Sequence, residues 1–341
     1  MKAIKFFAIT AMAAAMFTSC SSEDELSQSN YPSDNIIRVT AGVNNAKTRA
    51  DETAGTPLEK PLSLTVVNKN TTDPVLAKKY TYVGKVFKKD ENEVWKCSET
   101  QPLLWQNSET PVDIVAFAPA VENNPFANVY NNETREFSSF SYSVADNQST
   151  SSDNNDLLYN YTPGFVPGGT NLDKDGKLSI QMNHAFCMID IIVTLGTEFN
   201  VSGIPTTSPI TEVTLGGTKI EANVNVAAAT DKIAATSAAA KDITATPGDF
   251  DTPAGNDKEK SCKSHFSCIT VPQTVAANTF KVSLMTAGKR YEWTSAAPVE
   301  LKSGYRYTLE LSMGNDVVLL KGGSITATKW TEIAGGSLET D

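Results

Sequence analysis

The sequence predicts an all-β protein made of two tandem β-sandwich domains, and three observations carry that expectation. Apolar and polar residues alternate with the period of two that a half-buried strand requires, as at Tyr305, Tyr307, Leu309, Leu311 and Met313. Turn formers separate such runs, among them Pro167-Gly168-Gly169, Asp175-Gly176, Gly216-Gly217, Pro247-Gly248 and Ser303-Gly304. The chain has 341 residues. Less about 20 at its N-terminus, that suits two domains of ordinary size, each able to bury about 70% of its unfolded surface.

In chain order, Lys2 and Lys5 precede an apolar run from Phe6 to Phe17, and Thr18-Ser19-Cys20 follows. A basic start, an apolar stretch and small residues make a signal peptide over 1–19. The run is shorter than the roughly 20 residues that a membrane-spanning helix needs. The cysteine placed after the small pair resembles a lipobox, in which Cys20 is acylated and anchors the chain to outer-membrane lipid. Phe17 stands where Leu or Val is usual. The other reading is a plain secretory signal with an incidental cysteine. Residues 20–34 are polar and have too little apolar surface to offset their ordering entropy, which predicts a flexible tether. Within them, Ser21-Ser22-Glu23-Asp24-Glu25 resembles the surface-export signal of Bacteroidales lipoproteins, so an exposed position on the outer membrane is expected.

The body follows as strands. Ile36-Ile37-Arg38-Val39-Thr40-Ala41-Gly42-Val43 reads as the first, with Ile37, Val39 and Ala41 on one side. Leu62-Leu64-Val66, Phe140-Tyr142-Val144 and Phe280-Val282-Leu284 repeat the alternation. Leu178 to Phe186 runs on into Met188–Val193, which predicts one long central strand, apolar on both faces at its end. A polar, Gly-rich stretch before it puts the domain boundary at 175, giving an N-terminal domain over 35–175 and a C-terminal one over 176–341. The Ser- and Asn-rich stretch 138–155 reads as a surface loop. Thr230, Thr236 and Ser237 interrupt the Ala-rich 227–240, leaving a loop with room for one short helix.

Catalytic chemistry is absent from this reading. The net charge is −10, from 29 basic and 39 acidic residues, which excludes a nucleic-acid partner that needs clustered Lys and Arg. There are two histidines, and His184, in phase with Met182 and Phe186, reads as a core histidine with a satisfied hydrogen bond. No serine elbow, phosphate-cradling loop or His-Glu-x-x-His helix occurs, so neither an enzyme nor a cofactor is expected. Cys262-x-x-His265-x-x-Cys268 admits three readings: a local disulfide, two free thiols, or three zinc ligands lacking a fourth. Zinc is the least favoured, and no metal site is expected. Asp173-Lys174-Asp175-Gly176 has the look of a calcium-loop start. Without a Glu near the twelfth position it is read as a turn.

Several motifs, taken in order, make the chain resemble the fimbrillin family, the subunits of Bacteroidales surface fimbriae. They are Thr48-Arg49-Ala50, Ala116-Phe117-Ala118-Pro119, Asp156-Leu157-Leu158 and Met182-Asn183-His184-Ala185-Phe186. Val271-Pro272-Gln273, Gly304-Tyr305-Arg306-Tyr307 and a closing strand from Ile325 to Trp330 complete the series.

The resemblance implies two transthyretin-like Greek-key sandwiches and assembly by strand exchange with other fimbrial subunits. An Arg-specific protease would cut between Arg49 and Ala50, with Arg38 the less favoured site, and release the first strand (Ile36, Ile37, Val39, Ala41, Val43). A C-terminal strand of another subunit would fill the groove, with Val317, Val318, Leu319 and Leu320, or Ile325, Ala327 and Trp330, as donor candidates. The alternative is a surface lipoprotein that keeps its first strand and binds a glycan or host protein.

Overall fold

A computed structural model describes residues 29–44, 56–70, 72–120, 125–151, 155–314, 318–320 and 325–330. In the N-terminal half the strands are β1 (Val39–Val43), β2 (Thr56–Pro57), β3 (Leu62–Asn68), β4 (Tyr82–Lys89), β5 (Trp95–Cys97) and β6 (Val112–Ala118). After these come β7 (Tyr130–Asn131), β8 (Glu136–Phe137), β9 (Phe140–Ser143), β10 (Leu158–Phe165) and β11 (Leu178–His184). The second half continues with β12 (Cys187–Leu195), β13 (Ile210–Thr218), β14 (Glu221–Val224), β15 (Ile233–Ala235), β16 (Lys241–Thr244) and β17 (Thr246–Asp251). Then follow β18 (Lys263–Thr270), β19 (Gln273–Val275), β20 (Lys281–Thr286), β21 (Lys289–Thr294), β22 (Val299–Leu301), β23 (Tyr305–Met313), β24 (Val318–Leu320) and β25 (Thr326–Lys329). A short α-helix, α1 (Pro74–Lys79), starts where Asp73 accepts from the amides of Val75 and Leu76 and where Pro74 needs no amide partner.

Eight strands form the first sheet in the order β2-β1-β11-β10-β6-β3-β4-β5. In the second half, a sheet β17-β18-β12-β23-β24, with β25 also on β23, shares one core with the sheet β16-β13-β20-β21. β6 explains how the halves join. Val112, Ile114, Ala116 and Ala118 enter the core of the first half, while Val115 and Phe117 on its other face enter the core of the second. The halves are also joined by backbone, because β9 pairs antiparallel with β14.

Several expectations need correction. The run from Leu178 to Val193 is two strands in two sheets. Ala185 N–H turns away to donate to Leu157 O, and Phe186 O accepts from Gly304. β11 therefore belongs to the first sheet, and the change of sheet falls at 185–186. Residues 138–155 are not a plain surface loop. They contain β9 and the buried Gln148, whose side-chain amide donates to Ile269 O and accepts from Ile269 N–H, each at 2.8 Å. The Ala-rich stretch carries β15 rather than a helix. β3 is buried on both faces, with Thr65 Oγ1 accepting from Gly84 N–H, so Leu62, Leu64 and Val66 mark only one of its buried sides.

β13 bends at a bulge after Leu215, and Gly217 there has φ +81°. A Cβ on it would lie 2.1 Å from Thr279 O. Gly217→Ala is therefore expected to cost about 1–3 kcal/mol, read from the urea midpoint of unfolding.

Candidate functional site

The first strand lies in a slot with two backbone walls. Along one, β1 pairs in parallel with β11, from Val39 opposite Leu178 to Val43 opposite Met182. Along the other, Ile37 N–H donates to Leu103 O, Trp105 N–H donates to Asn35 O, and β2 pairs with Gly42 and Val43. The sequence forms this strand because β-branched residues recur at Ile37, Val39 and Val43, which are 3%, 3% and 6% exposed. Ile36 makes a single bridge to Leu104, and Ala41 is half-buried. The floor is apolar, with Leu58, Leu103, Leu178, Ile180 and Met182 in one cluster with the strand.

Arg38 sits just before β1. Its carbonyl accepts from Leu178 N–H and its guanidinium makes two bonds to the Asp34 carboxylate, at 2.5 and 3.0 Å. Hydrogen bonding to Arg38 holds the Asp34 carboxyl down at about 2, so the pair is intact at neutral pH. Cys20, Arg49, Ala50 and Val317 lie outside the described residues. In sequence, Arg49 falls between the last residue of β1 and the first of β2.

The closing strands lie elsewhere. β24, with Val318, Leu319 and Leu320, pairs antiparallel with Leu311–Met313, and β25, with Ala327, pairs with Tyr305–Thr308. Both run along the edge of β23 in their own half. Val318 is buried, Ile325 half-buried, and Trp330 is 7% exposed.

His184 is the core histidine expected, buried with Nδ1 2.9 Å from Asp156 Oδ2. That the Asp156-Leu157-Leu158 motif supplies its partner, and that Trp330 covers its ring, could not be read from spacing in the chain.

The disulfide considered for Cys262 and Cys268 is not formed. Cys97, Cys187, Cys262 and Cys268 are all free. Cys268 is on β18 and Cys262 immediately precedes it. Six extended residues span about 20 Å, against the roughly 6 Å between Cα atoms that a disulfide bridges. Burial pushes the thiols of Cys187, Cys262 and Cys268 up, and that of half-buried Cys97 as well. A thiol reagent at pH 8 is expected to modify Cys97 first and the other three only after unfolding, as counted by intact-mass spectrometry. Among the described residues, no group of three or more His, Cys, Asp and Glu side chains is placed to hold a metal ion. Asp173–Gly176 is a turn, closed by Gly176 N–H donating to Asp173 O at 2.9 Å.

Two solved structures share the fold. A candidate cell adhesion protein from Bacteroides ovatus is 15% identical, covers 88% of this chain and 99% of its own, and has a TM-score of 0.60. One from Bacteroides uniformis is 15% identical over 88% and 100% of the two chains, with a TM-score of 0.54. The tip fimbrial protein Mfa3 from Porphyromonas gingivalis, truncated at its C-terminus, is 11% identical over 86% and 98%, with a TM-score of 0.49. No curated protein matches the chain. Fold and cores define an all-β protein of the β-sandwich class. The chain belongs to the fimbrillin-like family, whose pattern matches residues 48–330, from the threonine before Arg49 to Trp330.

Proposed function

We propose that this protein is a structural subunit of cell-surface fimbriae, exported as a lipoprotein through Cys20 and assembled by donor-strand exchange after a cut at Arg49. The single observation that carries this reading is the slot around β1. A strand with three buried apolar side chains is joined covalently to the rest of its sheet through the connection that contains Arg49. Severing that connection leaves β1 held by backbone hydrogen bonds and by burial of about 6 kcal/mol, counting about 2 for each of the three. Its removal would bare β11 on one side and residues 103–105 and β2 on the other. A strand of another subunit could restore both the bonds and the burial. Contacts of that kind, repeated head to tail without closing, build a filament.

The two halves are read as transthyretin-like sandwiches, the first extending to His184 because β11 completes its sheet. The donor is read as the segment of β24 and β25 peeled from β23. Partners on this reading are other fimbrial subunits, outer-membrane lipid at acylated Cys20, and a host or bacterial surface ligand.

A second reading is favoured by one observation. β24 and β25 are already paired to β23, and Trp330 is already buried. That suits a surface lipoprotein that keeps both its first and its closing strands and binds a glycan or host protein without polymerising.

The N-terminus of the protein recovered from the cell surface tests the choice. A chain beginning at Ala50 by mass spectrometry supports the polymerising subunit. A chain beginning at acylated Cys20 overturns cleavage and leaves an anchor subunit or a stand-alone binder.

A further inference from the structure

Two residues far apart in the chain meet at the junction of the halves. Trp330 stacks its indole on the His184 imidazole, with ring centroids 3.7 Å apart and planes 7° from parallel. Asp156 Oδ2 holds that imidazole through Nδ1 at 2.9 Å, and Trp330 N–H donates to Gly304 O at 2.8 Å. All three side chains are buried. The strand leading to the tryptophan is not: Thr326, Ala327, Thr328 and Lys329 are each exposed. β25 is therefore held by its ladder to β23 and by the side chains at its flanks, half-buried Ile325 and buried Trp330. A strand so poor in buried side chains opens readily once its anchor is lost.

The anchor point belongs to the wall of the slot. His184 is the last residue of β11, and residues 178–182 of the same strand are paired in register with β1. β11 thus touches β1 along most of its length and Trp330 at its end. We infer that β11 couples the two segments. With β1 seated, β11 is flanked on both sides, His184 is fixed, and Trp330 pins the closing strand. With β1 gone, β11 becomes an edge, His184 loses its fixed place, and the closing strand is freed.

The inference rests on the strand-exchange reading and deepens it. The subunit would release its donor only when its own slot has been emptied, which keeps uncut chains from pairing prematurely. Coupling between two sites is reciprocal, so loss of the pin must also loosen β1. That permits a test on the uncut, full mature chain.

Hydrogen–deuterium exchange read by mass spectrometry is measured on wild type, Trp330→Ala and Trp330→Phe. In Trp330→Ala, residues 326–329 are expected to exchange about tenfold faster or more, and residues 39–43 about fivefold faster. Trp330→Phe, which retains a stacking ring, should fall between it and wild type. It carries the test if the alanine variant does not fold. Faster exchange at 326–329 with residues 39–43 unchanged within about twofold would overturn the coupling. No change at either segment would overturn Trp330 as the pin. The strand-exchange reading is judged separately, by whether Arg-specific cutting yields polymers. Its failure would leave these exchange rates, and the coupling they report, untouched.

Discussion

Treating the purified mature chain with an Arg-specific protease is expected to convert monomer into ladders that survive detergent, and Arg49→Ala is expected to abolish the conversion. The arginines are not equivalent. Arg38 is tied through its carbonyl to Leu178 and through its guanidinium to Asp34. Arg290 and Arg306 lie within β21 and β23, and Arg306 is paired in two places with Asp190. Arg135 is the competitor, exposed in the tight turn between β7 and β8 with φ +59°. A cut there separates β7 from β8 and leaves β1 attached, so it yields no open slot. Only the cut at Arg49 turns β1 into a separate, displaceable peptide. Burial of about 6 kcal/mol by three side chains falls at the low end of the roughly 5–15 kcal/mol that holds a whole domain folded. An incoming strand that matches it would give a contact that survives detergent. A cut at Arg49 that yields only stable monomer would sink the polymerisation reading.

The largest effect on stability is expected at Phe117. Its ring lies 4.7 Å from that of Phe126, nearly parallel, and 5.2 Å from Phe140 at a right angle. Phe117 belongs to the first sheet through β6, Phe140 is carried on β9 into the pairing with β14, and both contribute to the core of the second half. Phe117→Ala is expected to cost about 3–5 kcal/mol and to lower the melting temperature by roughly 10 °C. Because the core is shared, calorimetry should show both halves melting together at the lower temperature. A melt in which the C-terminal half keeps its wild-type transition would mean that the halves are independent.

Strand identity was legible in several strands that have one face on a core and the other less buried. β23 is the clean case, with Tyr307, Leu309, Leu311 and Met313 buried and the residues between them less so. Where a strand lies between two cores the rule weakens. Asp113 on β6 carries a charge, yet it is buried and satisfied by Lys69 and by the amide of Gly164. The break after His184 was hidden because Ala185, Phe186 and Cys187 continue an apolar run, and only non-local bonds to Leu157 and Gly304 turn the chain there. His184 was recognisable as a core histidine from its phase with Met182 and Phe186. Its partners were not, because Asp156 and Trp330 reach it through the fold rather than through spacing. The Cys262–Cys268 bridge looked feasible only while β18 was not known to run straight through that spacing. Sequence proximity is not spatial proximity along an extended strand.

The parallel pairing of β1 with β11 has a consequence for the order of folding. β1 is the most N-terminal strand among the described residues, yet its partner, Leu178–Met182, is the last strand of the same sheet. The chain between must be made and largely placed before β1 can dock, since a non-local pair gains nothing until its loop has closed. Docking of β1 is then a late step on the way in. By microscopic reversibility, its undocking is an early step on the way out. The strand best suited to being exchanged is the one that the topology obliges the protein to fold without.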